Sequence, residues 1–139
     1  MDIKLRILGV DFGERRTGIA ISDELLLTAQ AVGTIHEKVD EETAKKVAEI
    51  IKEKNAEKVV VGLPKNMDGS VGFRGEATLK FVDYLKTYTD AEIIMWDERL
   101  TTVAASRTLD EVNIRGKKRK NVIDTVAATY ILQGYLDSI

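Results

Sequence analysis

"ILGVDFGERRTGIAIS", residues 7–22, is the stretch from which the rest of the chain can be read. An apolar run, broken only by Gly9, ends in a carboxylate, Asp11. Gly13 permits a tight turn, Arg15 and Arg16 follow, and a second apolar run occupies 17–23. The pattern predicts strands over 4–11 and 17–23, paired as a hairpin. A carboxylate at the end of a buried strand is costly unless it has a partner or a task. Strand alternation places Asp11 on the face of Leu5, Ile7 and Gly9, and Gly9 leaves room beside it. Taken alone, Asp11 is equally well read as capping the turn by accepting backbone N–H groups.

Working outward, 29–35 (AQAVGTI) reads as a third strand and 40–54 as a helix with Val47, Ile50 and Ile51 on one face. Residues 57–62 (EKVVVG) form a continuous apolar strand, as expected for the middle of a sheet. The Pro, Asn, Asp and Gly of LPKNMDGSVG, 63–72, make a loop. A helix over 73–88, a strand over 91–97, a short helix over 101–110, a basic loop over 112–120 and a last helix over 121–136 complete the order βββ-α-β-α-β-α-α. An antiparallel start followed by βα units predicts an α/β fold: a mixed five-stranded sheet with helices on both faces, one domain over 1–139. Right-handed crossovers bring the ends of strands one, four and five together, and function in such sheets collects at carboxyl ends.

Composition narrows the chemistry. Among 139 residues, 44% are hydrophobic, which suits a packed core rather than a disordered chain. No apolar run approaches the ~18–20 residues of a membrane span, and the start lacks a signal-peptide layout. The chain has no cysteine, which excludes disulfides, thiolate zinc sites and cysteine nucleophiles and is compatible with a reducing cytoplasm, the expected location. Its single histidine, His36, reads as a surface residue after a strand and gives a Ser-His-Asp triad little basis. Carboxylates, a hard metal, Lys and Arg remain.

Three carboxylate positions stand out. Asp11 is the first. Asp97 and Glu98, in "MWDERLTT", end the fifth strand, and adjacent strand residues point to opposite faces, so one of the two joins a shared site. Spacing does not say which, and a plain acidic pair near Arg99 is the simpler reading of either. Asp124, in "KNVIDTVAATYIL", has Ala127, Ala128 and Ile131 at i+3, i+4 and i+7, so it sits above an apolar face with small residues that allow close approach. An aspartate in a helix's first turn is also ordinary capping chemistry. Three carboxylates converging without a cation between them would repel. Mg²⁺ or Mn²⁺, which take oxygen ligands, resolves this and supports in-line displacement at phosphorus without His or Cys.

With these residues in view, the chain resembles the YqgF/RuvX family of the RNase H-like superfamily. "VDFGERRTGIA", "VVGLPKNMDGS", "DERLTT" and "VIDTVAA" carry the resemblance, in order and across nearly the whole chain. It implies a metal-dependent nuclease with Asp11, Glu98 and Asp124 as catalytic carboxylates, Asp97 beside Glu98 as a further metal ligand, and Arg16 as the arginine of the first turn. Members are associated with maturation of the 5′ end of 16S ribosomal RNA and are also named as Holliday-junction resolvases. Compared with RuvC resolvases, strand four ends in "VVVGLP" with no acid, and the last helix carries one aspartate instead of a close pair. Both differences weigh against junction resolution.

The net charge of −2 does not by itself indicate nucleic acid, but RGKKRK at 115–120 carries five positive charges in six positions. Arg115, Lys117, Lys118, Arg119 and Lys120 are therefore candidate phosphate contacts, with a solvated loop as the plainer reading. Arg15, Arg16, Lys65 and Arg74 extend the patch, and Asn66 and Ser70 offer polar contacts from their loop. Trp96 reads as core more than as a base-stacking platform. The expected function is a metal-dependent endonuclease acting on structured RNA, most directly precursor 16S ribosomal RNA, with ribosomal particles as partners. The alternatives are a DNA junction resolvase and a non-catalytic RNA- or ribosome-binding module. "DFGERRTG" also resembles the phosphate loop of actin-like ATPases, but those close two such domains around a nucleotide.

Overall fold

The computed structural model describes residues 5–98 and 116–139, with side chains of the final helix described from Thr125 onward. Five strands are described: β1 (Arg6–Asp11), β2 (Arg16–Ser22), β3 (Ala29–His36), β4 (Ala56–Leu63) and β5 (Glu92–Asp97). Three helices are described: α1 (Asp40–Glu53), α2 (Phe73–Tyr88) and α3 (Gly116–Ser138). The spatial order of the sheet is β3-β2-β1-β4-β5. β1 pairs antiparallel with β2 and parallel with β4; β2–β3 is antiparallel and β4–β5 parallel. The mixed sheet expected from the sequence is therefore present. The short helix expected over 101–110 lies outside the described residues.

Both faces of the sheet are covered, which is why β1 and β4 are buried in continuous runs instead of alternating. On one face Leu8, Val10, Ile19, Val59 and Val61 meet Ala44, Val47 and Ile51 of α1 and Phe81, Val82 and Leu85 of α2. Phe12 stacks on Phe81 there, centroids 4.5 Å apart. The acids Asp40, Glu41 and Glu42 in the first turn of α1 suit the positive end of its dipole. That helix stops before Asn55, which takes a left-handed φ of 55°.

The other face belongs to α3. Ala128, Ile131, Leu132 and Leu136 pack on Ile7, Ala20 and Val60. Gly9 does not leave open space, as the sequence suggested. A Cβ there would lie 2.7 Å from Leu132 Cβ and 2.9 Å from the Ala128 carbonyl oxygen. The missing side chain is filled by the helix, and Ala128 lets the two backbones approach. Gln133 holds the helix laterally: its Oε1 accepts from the Ala29 N–H at 2.9 Å and its Nε2 donates to the Leu27 carbonyl at 2.9 Å.

One expectation needs correction. Positions 116–120 of the basic run, assigned to a loop before the last helix, are already helical: α3 begins at Gly116, not near 121. Lys and Arg are good helix formers, and no proline or second glycine interrupts the run, so the helix extends through it. Lys117, Lys118, Arg119 and Lys120 are thus carried on the first turns of α3, and Arg115 lies outside the described residues.

Candidate active site

Register decides what reaches the end of the sheet. Asp11 pairs with Gly18, and Gly18 with Thr34, so one row crosses β1, β2 and β3. Thr34 Oγ1 lies 2.9 Å from Thr125 Oγ1, hydrogen-bonded to it. The N-terminal half of α3 is thereby tied to the row that contains Asp11. Ile7 and Gly9 face α3 while Leu8 and Val10 face the other core, so alternation places half-buried Asp11 on the α3 side, as expected.

The same argument separates Asp97 from Glu98. Ile93 and Met95 pack against the α1–α2 core, whereas Ile94 and Trp96 pack against the α3 core. Asp97 follows the first set and is exposed; Glu98 follows the second and is 5% exposed. The Glu98 N–H donates to the Leu63 carbonyl at 3.3 Å, extending the β4–β5 ladder one residue past the strand. Its carboxylate occupies the space over Gly62, where a Cβ would strike both Glu98 Oε2 and Ile131 Cδ1. The end of β4 thus receives its acid from β5.

The Asp11 side chain lies within hydrogen-bonding reach of Glu98. Burial pushes the Glu98 carboxyl above the ordinary carboxylate range. The Arg74 guanidinium and the bond to Asp11 oppose the shift, while the charge of Asp97 adds to it. Asp124 lies in α3 one turn before Ala128; its side chain falls outside the described ones. Among the described residues no group of three His, Cys, Asp or Glu side chains forms a metal cluster.

Beside Asp11 opens a cleft of about 390 Å³, lined by Asp11, Phe12, Gly13, Glu14, Arg15, Arg16, Arg74 and Ala77. Gly13 is required in its floor, because a Cβ there would collide with the Arg16 carbonyl. Arg15 comes from the β1–β2 turn, half-buried Arg16 is the first residue of β2, and Arg74 comes from the first turn of α2. Asn66 is occupied within its own loop: its Nδ2 donates to Ser70 Oγ at 3.0 Å, and its backbone closes the turn through Ser70 and Gly69. Trp96 is half-buried edge-on to Tyr135, centroids 6.0 Å apart, so it is core. His36 is exposed at the end of β3. From α2 the cleft takes Arg74, which the sequence had grouped with Arg15 and Arg16, and Ala77, which it had not singled out.

A family model described as "RuvX: Holliday junction resolvase" matches residues 5–138. The chain belongs to the RuvX family. A relative from Acetivibrio thermocellus is 54% identical over 136 residues, covering 96% of each chain. One from Staphylococcus haemolyticus is 53% identical over 137 residues, again covering 96% of each. Both carry the name "Putative pre-16S rRNA nuclease". Among solved structures, Thermus thermophilus RuvC bound to a Holliday junction is similar at TM-score 0.61 and 12% identity, covering 96% of this chain and 94% of that one. The fowlpox virus Holliday junction resolvase matches at TM-score 0.60 and 14% identity, covering 97% and 100%. This RuvX chain therefore has the RNase H-like fold and belongs to a nuclease family. No described helix is long and apolar enough to cross a membrane.

Proposed function

We propose that this RuvX chain is a divalent-metal-dependent endonuclease that hydrolyses phosphodiester bonds in structured RNA, at the 5′ end of precursor 16S ribosomal RNA. The pairing of Asp11 and Glu98 beside an arginine-lined cleft supports the reading. The names of the 54% and 53% identical relatives point to the same substrate. Work on ribosomal precursors in the cytoplasm is part of the proposal.

The donor set fits a hard cation. Two carboxyl groups in contact, one of them buried and reluctant to ionise, are stabilised as carboxylates by a divalent ion, and oxygen donors alone suit Mg²⁺ or Mn²⁺. Asp11, Glu98 and Asp124 would hold it; exposed Asp97, on the other side of β5, would not be a direct ligand. When bound, such ions lower the pKa of a water nucleophile and stabilise the leaving oxygen at phosphorus. The chain's own residues do the rest. Arg15, Arg16 and Arg74 draw the phosphodiester into the cleft and offset its charge, and Arg74 also favours the ionised form of Glu98. The buried position of Glu98 under Ile131 keeps bulk water from one side of the pair. The basic first turns of α3 extend the phosphate path.

A junction resolvase is the second reading, favoured by the description of the matching family model. The experiment compares two labelled substrates with Mg²⁺ or Mn²⁺: an RNA spanning the 5′ leader of precursor 16S ribosomal RNA, and a DNA four-way junction. RNA cleavage abolished by Asp11→Asn supports the processing nuclease. Paired symmetric cuts in the junction support the resolvase. Cleavage of neither, together with no Mg²⁺ or Mn²⁺ heat signal sensitive to Asp11→Asn, leaves a binding module.

A further inference from the structure

The loop between β4 and α2, together with the first residue of α2, places apolar side chains in water. Met67 is 93% exposed and Phe73 76%. Neither exposure reflects a loose loop. The Asn66 N–H donates to the Ser70 carbonyl at 2.9 Å, the Gly69 N–H to the Asn66 carbonyl at 2.8 Å, and the Ser70 N–H to Asp68 Oδ1 at 2.9 Å. The Asn66 amide lies against Gly72, where a Cβ would be 3.0 Å from its Oδ1. Met67 and Phe73, the residues after Asn66 and Gly72, thus leave the same neck of one braced loop. Phe73 is the first residue of α2 and adjoins Arg74, a wall of the cleft. Leu25 and Leu27, also strongly exposed, sit instead in a turn with Asp23 and Glu24, an acidic setting that repels phosphate.

We propose that Phe73, backed by Met67, is a stacking platform for an unpaired nucleobase next to the phosphodiester held by Arg74 and Arg16. The inference rests on the nuclease reading and narrows its substrate class to nucleic acid that is single-stranded at the cleft. An exposed ring gains by covering its face with a base, and any base has such a face, so the platform selects unpaired strands without reading sequence. A base held in a duplex stack cannot reach it. Trp96 is committed to Tyr135 and Gly134, and Phe12, in the cleft lining, is committed to Phe81.

The test uses the full chain carrying Asp11→Asn and a short single-stranded RNA with one 2-aminopurine; a duplex of the same sequence is the comparison. Binding quenches the fluorophore at one or two positions near the cleft. Phe73→Ala is expected to lose that quench and to weaken single-strand binding about 5- to 100-fold, with little change for the duplex. Phe73→Trp retains both, and Phe73→Leu loses the quench. At an exposed position none of these variants threatens folding. Equal single-strand binding by Phe73→Ala, or equal losses for single strand and duplex, overturns the platform. Cleavage by the chain with Asp11 intact separates the two ideas. Quenching without cleavage leaves the platform standing and removes the nuclease reading. Cleavage unaffected by Phe73→Ala does the reverse.

Discussion

Gly9→Ala tests how tightly α3 is seated over the sheet. The added Cβ would lie 2.7 Å from Leu132 Cβ and 2.9 Å from the Ala128 carbonyl oxygen, where ordinary contact is 3.4–4 Å. Both opposing atoms belong to the helix's own frame, so no rotamer change relieves the clash. The helix must lift by about 1 Å, or β1 must sink into the opposite core. Overpacking of this kind costs about 1–3 kcal/mol. In a chain of this size each kcal/mol moves the melting temperature by about 3–5 °C, so a fall of about 8 °C is expected. Urea unfolding followed by circular dichroism, with an unchanged m-value, gives the matching loss of stability. Gly134→Ala is the control. Its Cβ would meet the Trp96 ring first, at 3.3 Å, and alanine favours a helix over glycine by about 1 kcal/mol. The same chemical change should therefore be neutral or stabilising at 134 and destabilising at 9. Identical melting of Gly9→Ala and the parent would refute the close seating of α3, and with it the reason Asp11 and α3 share one face.

Ser22→Ala removes the oxygen that accepts the Ile7 N–H at 2.8 Å inside the sheet; leaving that donor unsatisfied should cost about 1–3 kcal/mol in urea unfolding. Glu98→Gln should abolish cleavage yet leave the metal-free protein at least as stable at neutral pH. Because folding raises the Glu98 pKa above 4.5, its contribution is complete below that value and is lost as pH climbs through the raised one. The stability of the metal-free variant relative to the parent should therefore rise from acid to neutral pH. Arg74→Ala should shift the pH profile of cleavage upward, since Arg74 lowers the Glu98 pKa, and should reduce the salt slope of single-stranded RNA binding by about 0.7.

Most of the scaffold was visible in linear patterns. Apolar runs at 7–10, 17–22 and 59–61 and the helical face of 40–53 each report a local backbone preference combined with burial. The face of Asp11 followed from alternation alone. The choice between Asp97 and Glu98 did not, because a strand end has no periodicity of its own. It was settled by Ile94 and Trp96 packing on the α3 core and by the Leu63 carbonyl extending the ladder. The basic run was misjudged for a related reason: five charges suggested a solvated loop, but charge does not break a helix. Asn66 looked like a free polar group, and only the closed loop shows it bonded to Ser70.

The sequence by itself determined the layered α/β architecture, the family, and which residue types were available for chemistry, because these depend on periodicity, composition and short motifs. Tertiary structure decided which groups meet. Asp11 and Glu98 are 87 positions apart, and they touch because β4 pairs with both β1 and β5 and because Gly62 yields its space to Glu98. Arg74 joins them because α2 starts where the β4–α2 loop turns back to the sheet end. Contacts between distant residues depend on register and packing, which no local window of sequence contains.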